Sequence, residues 1–395
     1  MMKVALIMQH VDSGRGGAET SVGQYTRHLA RRGCQVHVYT TSTVPSDNLG
    51  GIAFHTIPGR SPLRSLRTRT FVRQAVEHIG RERFDVVHAV TCCPDADIYQ
   101  PRGGTIAETT LRNLAACSGV AGRLARCLGR AIGPNHRLAL RLERQVCRQS
   151  QRPIIAAVSD YVADQFRRHY DLGPPRVRVI FNGVDAPEAD PASARYDRHR
   201  VRQALGFDEG VVLALLVAHN FKLKGLASAI RALACVLQRT DTDTRLLVLG
   251  RDKSLSYKNL AEVLGVSDRL IVHGPAADAW PFFQAADLLV HPTYYDACSR
   301  VVLEALTAGL PVITTRHNGA AEAITDGQEG YVIDSASDIE ALADCWLRLT
   351  DTDQRRACRD HALARREYVS MSRHVDQMLA LYQEVARGRD GRGQP

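Results

Sequence analysis

Apolar residues come in short unbroken runs, separated by longer stretches in which they recur at helical spacing. Val4–Met8, Gln35–Thr40, Phe84–Val90 and Pro153–Ser159 read as strands in the first half of the chain, and Val177–Asp185 as a strand with an Asn-Gly turn. Val211–Val217, Arg245–Gly250, Arg269–Gly274, Leu288–Val290, Pro311–Thr314 and Gly330–Ile333 do so in the second. Unbroken runs of this kind suit parallel strands covered on both faces. Between them a helix is expected from Ala18 to Arg32, stopped by Gly33, another from near Arg300, and further helices from Ile339 onward. Strand and helix in alternation predict an α/β chain with doubly wound parallel sheets. A length of 395 residues is too great for one ordinary core. The predicted division is a first domain over 1–185, a linker over 186–204, a second domain over 205–370, and a C-terminal segment, 371–395, that crosses back to the first domain. The linker reading rests on Ala186–Arg200, rich in Pro, Ala and Asp with little periodicity.

The stretch His291–Glu304, HPTYYDACSRVVLE, carries the most chemistry. It leaves a buried strand, makes a short loop with an acid, and enters a helix N-terminus, whose free N–H groups form a ready anion site. Asp296 falls in the loop and Glu304 about one turn into the helix, so the two carboxylates can grip the two ends of a sugar nucleotide. Ala218–Gly225, AHNFKLKG, is a second strand-to-helix loop and carries cations. His10–Gly17 is a glycine-rich loop before a helix, and its pair Gly16-Gly17 lets backbone approach a phosphate. Its spacing is not the dinucleotide fingerprint. Thr91–Asp97 follows another buried strand, which makes His88, Asp95 and Asp97 candidate ligand residues.

Composition narrows the class. Apolar content of 45% and charged content of 24% are ordinary for a soluble globular protein. No apolar run approaches the roughly 18–20 residues of a membrane helix, and Val4–Met8 is too short for a signal peptide. Ten scattered cysteines without a Cys-x-x-Cys suggest neither a disulfide framework nor a zinc site, so no metal is expected. A net charge of +9 asks for an anionic partner. The excess concentrates in 102–152. There Arg112, Arg123, Arg126 and Arg130 project onto one side of an expected helix, with Leu111, Leu114 and Leu128 opposite. A second helix from about His136 repeats the scheme with Arg137, Arg141, Arg144 and Arg148. Basic amphipathic helices lie on anionic membrane surfaces, and the first is the favoured membrane contact. Nucleic acid is disfavoured, since the Arg face lacks interleaved aromatics for stacking.

The stretch from His291 to Val312 resembles the acid-x7-acid signature of family 4 retaining glycosyltransferases, enzymes of the GT-B fold. It is most similar to their bacterial lipopolysaccharide-core glucosyltransferase branch. Asp296, Ser299 and Glu304-Ala305 stand at the motif positions, with Asp for the usual Glu and Ser for the usual Gly. Lys224-Gly225 matches a family pair, whereas Ala218-His219 replaces the usual Gly-Arg and Lys222 is a candidate substitute for the missing guanidinium. The resemblance implies two Rossmann-like domains facing across a cleft, the first binding an acceptor and the second a nucleotide sugar. It implies that Glu304 holds the ribose and Asp296 approaches the sugar. Backbone N–H groups of Ser299 and Arg300, with Val301 beside them, would meet the distal phosphate. Val272, His273 and Gly274 would meet the base, and Lys224 and Gly17 the growing diphosphate charge. Asp97 matches an acid thought to orient the acceptor hydroxyl. The expected reaction is retaining, metal-independent and free of any cofactor beyond the nucleotide sugar. Its expected form is transfer of a hexose, glucose from UDP-glucose before others, to a lipopolysaccharide-core or related envelope glycan, by a cytoplasmic protein peripherally bound to the inner face of the cytoplasmic membrane. Two readings stay open beside it: a sugar-nucleotide epimerase or hydrolase, and a basic membrane- or nucleic-acid-binding protein that has lost catalysis.

Overall fold

The computed structural model describes residues 1–10, 17–42, 50–58, 66–116, 134–149, 151–187 and 190–390. It divides into two compact units: 1–184 with 371–395, and 185–370.

The first unit is a seven-stranded parallel sheet in the order β3-β2-β1-β4-β5-β6-β7. Its strands are β1 Lys3–Ile7, β2 Gln35–Thr40, β3 Ile52–Thr56, β4 Val86–Ala89, β5 Ile98–Tyr99, β6 Ile154–Ala157 and β7 Val177–Val179. The described helices are α1 Gly17–Arg31, α2 Arg67–Ile79, α3 Ile106–Ala115, α4 Pro134–Arg148, α5 Asp160–Tyr170 and the last helix of the chain, Met371–Asp390. Alternation along the strands decides which helix covers which face. Val4 and Leu6 pack with Val36 and Val38 under Tyr25 and Leu29 of α1 and under Val375, Met378 and Tyr382 of the last helix. Ala5 and Ile7 point the other way, onto Phe71, Val72 and Ala75 of α2.

The second unit is a six-stranded parallel sheet in the order β10-β9-β8-β11-β12-β13. Its strands are β8 Val212–Val217, β9 Thr244–Leu249, β10 Leu270–Gly274, β11 Leu288–His291, β12 Val312–Thr315 and β13 Gly330–Ile333. Its helices are α6 Pro191–Leu205, α7 Leu226–Leu237, α8 Leu255–Val263, α9 Trp280–Ala285, α10 Arg300–Ala308, α11 Ile339–Arg348 and α12 Thr352–Ala364, so Met371–Asp390 is α13. Both sheets follow the Rossmann order, with the reversal between β1 and β4 in one and between β8 and β11 in the other.

Two segments depart from expectation. The stretch expected as a linker is largely α6. Asp190 caps it by accepting from the Ala192 and Ser193 N–H groups, each at 3.0 Å, with Pro191 at its first position. Arg202, fully buried, donates to the carbonyls of Asp208 and Ala285 and pairs with Asp287 at 3.2 Å, clamping α6 to its unit. Linker-like composition thus concealed a capped helix held by a cation rather than by an apolar stripe. In the segment 102–152, the helix bearing Arg112 ends at Ala115. Arg123, Arg126 and Arg130 lie outside the described residues.

Candidate functional site

The loops leaving β8 and β11 flank the reversal of strand order in the second unit, where open α/β sheets take their ligands. They are sewn together by backbone. The Tyr294 N–H and the Thr293 hydroxyl both donate to the Leu223 carbonyl, at 2.9 and 3.1 Å. Gly225 has φ +75°, and a Cβ there would lie 2.1 Å from the Pro292 oxygen, so only glycine permits this approach. The close contact brings Lys224 against the acid loop. Its ammonium pairs with Asp296 Oδ2 and reaches the Tyr295 carbonyl at 3.4 Å. Burial alone would raise the Asp296 pKa, but Lys224, with help from His291, holds it well below the usual carboxylate range.

Asn318 fixes that loop from the other side. Its Oδ1 accepts from the Ser299 and Ala320 N–H groups at 3.1 and 3.0 Å, and its Nδ2 donates to Thr314 Oγ1 at 3.1 Å. Next to it, Asp296 exchanges backbone hydrogen bonds with His317 and Gly319, at 2.9 and 3.1 Å. The Ser299 N–H, expected to meet a phosphate, is therefore taken by Asn318. His291 is buried beneath the loop, with Nε2 3.3 Å from Ser299 Oγ and 3.9 Å from Asp296 Oδ2. Burial lowers its pKa, partly opposed by Asp296. The motif stretch starts at His291, yet the sequence pattern assigns a role neither to it nor to Asn318. An Asn-Gly pair three residues beyond a strand, which favours an Asx turn, was the available signal for Asn318.

One turn into α10, Glu304 accepts from Arg300 at 3.0 Å. Burial pushes its pKa up, Arg300 draws it back, and Asp278 adds to the rise. Val301 is half-buried beside it. His219 and Lys222 are exposed on the β8 loop. Val272 is half-buried at the end of β10, His273 is exposed with its ring against Phe282, and the Gly274 carbonyl accepts from the Gly250 N–H at 2.9 Å. In the first unit Gly17 opens α1, and Gly16 lies outside the described residues. No cluster of three or more His, Cys, Asp or Glu among the described residues is placed to hold a metal.

The structure moves Asp97 out of the site. It is 1% exposed, pairs with Arg152 at 2.7 Å, and accepts from the Val87 N–H at 2.8 Å. The chain has returned from β4 without a helix, so Asp97 enters β5 at its amino end, on the edge opposite to ligands. His88 is likewise internal, its Nδ1 2.6 Å from the Tyr382 hydroxyl. What lies at the carboxyl ends of β4 and β5 is a cavity of about 340 Å³, lined by Tyr99, Arg102, Gly104, Thr109, Thr110 and His136 among others. Arg112 is not a surface cation either. It bonds at 2.8 Å to Glu108, a 1%-exposed acid that also pairs with His169 at 2.8 Å. The exposed basic face belongs to α4, where Arg137, Arg141, Arg144 and Arg148 follow one another and Glu143, Val146 and Cys147 are buried opposite.

Two family patterns cover this architecture: Glycosyltransferase Family 4 over residues 15–187 and Glycosyl transferases group 1 over residues 197–364. The chain is a GT-B glycosyltransferase. It is 29% identical to the lipopolysaccharide glucosyltransferase WaaG of Escherichia coli K12, over 80% of this chain and 82% of that one. A crystal structure of WaaG superposes with a TM-score of 0.78 at 27% identity, covering 96% of this transferase and 99% of WaaG. The D-inositol 3-phosphate glycosyltransferase of Corynebacterium efficiens is 26% identical over 100% of this chain and 98% of its own. Anabaena HepE, crystallised with UDP-glucose, shares the fold at 19% identity, with a TM-score of 0.70 over 99% of this chain and all of that one.

Proposed function

We propose that this transferase moves glucose from UDP-glucose to a lipopolysaccharide-core or related envelope glycan, with retention of configuration and without a metal. The observation that carries the reading is the Lys224–Asp296 pair at the strand reversal, with Glu304 a turn further along α10. WaaG, a lipopolysaccharide glucosyltransferase, supports the acceptor class, and the HepE complex supports the donor. In the proposed step the acceptor oxygen bonds to the anomeric carbon on the face from which the diphosphate departs. The electron pair of the broken bond goes to UDP, and the hydroxyl proton passes to its leaving phosphate oxygen. Lys224 has three N–H donors, so it can turn to the phosphate while Asp296 still holds it. Its charge then stabilises the diphosphate as negative charge grows. Glu304 accepts from the ribose hydroxyls through the oxygen that Arg300 leaves open. No protein base is assigned, because Asp97 is internal.

The acceptor side is the cavity beside Arg102, and the enzyme works at the inner face of the cytoplasmic membrane through the Arg row of α4. Turnover and binding with a panel of nucleotide hexoses, in the presence of phosphatidylglycerol vesicles, test this. The expected result is binding of UDP-glucose with slow hydrolysis when no acceptor is present. Failure of every nucleotide sugar to bind overturns the donor assignment and favours the binding-protein reading. Transfer to D-inositol 3-phosphate, but not to lipopolysaccharide truncated before its first hexose, would replace the acceptor class. For the membrane claim, Arg141, Arg144 and Arg148 changed together to Glu should abolish vesicle co-sedimentation, and undiminished binding refutes it.

A further inference from the structure

The last helix of the chain brings two buried polar groups to the acceptor-side cavity, and their hydrogen bonds can be followed one by one. His374, on α13, is fully buried, with Nδ1 2.9 Å from the Phe181 carbonyl. A carbonyl only accepts, so the proton of the neutral ring is on Nδ1 and Nε2 is left as an acceptor. A neutral ring agrees with its burial, which, aided by Arg102, pushes the His374 pKa down to about 3. Gln100, also fully buried, places its Nε2 3.4 Å from that acceptor and 3.6 Å from Met378 Sδ. Both hydrogens of the amide are thereby directed at α13, and its Oε1 must face the other way. There it accepts from Arg102 Nε at 2.9 Å. The guanidinium also lies over the Tyr25 ring, 5.5 Å from its centre, and lines the cavity.

We propose that His374 and Gln100 are positioning residues for Arg102: the tautomer of His374 sets the orientation of the Gln100 amide, which aims the guanidinium at an anionic group of the acceptor. The proposal rests on the reading of this cavity as the acceptor site. Preorganisation of this sort matters because a guanidinium binds a phosphate or carboxylate in a fixed plane, and a side chain free to swing loses that geometry. It also gives α13 a purpose beyond covering the sheet, since acceptor recognition would depend on a segment some 270 residues later in the sequence.

The test measures acceptor KM, kcat and acceptor-free UDP-glucose hydrolysis, with lipopolysaccharide truncated before its first hexose as the acceptor probe. Arg102→Gln should raise acceptor KM about ten- to a hundredfold, the worth of a hydrogen bond to a charged group. His374→Leu and Gln100→Leu should each raise it about tenfold with hydrolysis unchanged, and the double variant should be no worse than either single one. His374→Gln, whose amide can donate to Phe181 and accept from Gln100, should recover most of the loss. An unchanged KM for Arg102→Gln would sink the cavity reading itself. A raised KM for Arg102→Gln with normal values for both Leu variants would leave the cavity reading standing and overturn the relay. Parallel loss of hydrolysis in the Leu variants would mark their effect as general destabilisation and also overturn it. Imidazole 15N shifts of the unaltered enzyme give a check that needs no variant: a protonated Nδ1 is expected for His374, and a protonated Nε2 refutes the proposal.

Discussion

Each half of this transferase sets an acid beside a cation among the central strands of a parallel sheet, and the surroundings make the two pairs unlike. Asp97, paired with Arg152, is 1% exposed and has its second oxygen closed by the Val87 N–H. Asp296, paired with Lys224, stands in a loop at the carboxyl end of β11, and its side chain keeps 21% of its surface. One pair locks the start of a strand; the other is open to a ligand. The difference teaches that an acid near a buried strand is a ligand candidate only when it lies at the end where helix N-termini and loop amides gather. Apolar periodicity reveals that a strand exists but not where the chain next turns back.

Breaking each pair in turn gives the largest expected contrast. Lys224→Ala should lower kcat about 10²- to 10³-fold, as removal of a preorganised charge from a transition state does, with a smaller fall in Tm than Asp97→Asn, since the carboxylate left unpaired keeps contact with water. Asp97→Asn should do the reverse. Its amide can satisfy only one of the two donors it faces, which costs about 1–3 kcal/mol of stability, while UDP-glucose hydrolysis stays near normal at temperatures where the protein is folded. Thermal melts and steady-state rates on both variants decide the matter. A catalytic collapse in Asp97→Asn, at unchanged Tm, would return that acid to the active site.

Glu304 sharpens the contrast within the second unit, because its assigned role is binding. Glu304→Ala should raise KM for UDP-glucose by about ten- to a hundredfold, the equivalent of losing hydrogen bonds to a charged group. The effect on kcat should be smaller than for Lys224→Ala. Calorimetric titration with UDP alone isolates the effect, since the ribose is present and the sugar absent. Unchanged UDP affinity would remove Glu304 from the ribose.

Much of the second unit was legible because its signals are local. Unbroken apolar runs marked β8 to β13, and the loop from His291 to Glu304 lies on consecutive residues, so strand, acid and helix start could be read in one line. The roles of Asn318 and His291 were not legible, since each acts through backbone or buried contacts made by folding. In the first unit the misreadings share a cause. β5 has only two residues and is too short for any periodicity to show, so Asp97 was placed at the wrong end of a strand. Arg112 fitted a helical projection, but no projection reveals that Glu108, on the same helix, is buried and takes its charge. The α6 helix was missed because charged clamps, Arg198 and Arg202 on Asp287, replace the apolar stripe on which detection depends.

Histidines give the smallest expected effect and extend the comparison to pH. In the first unit His37 and His55 stack on neighbouring strands, their Nδ1 and Nε2 2.9 Å apart, with Lys3, His78 and Glu82 nearby. The hydrogen bond between the rings requires that at least one be neutral. Both pKa values are lowered, chiefly by burial and also by Lys3, with Glu82 opposing. A histidine whose folded pKa is depressed binds protons more readily when unfolded. Its contribution to stability is complete above the unfolded value of about 6.5 and is lost as pH falls below it. His291 in the second unit is also lowered by burial and has the same sign, but there Asp296 opposes the shift. The Tm of the enzyme should therefore decline as pH is lowered from about 6.5, and His55→Gln should flatten part of that decline while leaving UDP-glucose binding intact. If the variant follows the same acid limb as the unaltered enzyme, the pair is not a pH-sensitive element of the first unit, and the slope belongs to the fully buried histidines.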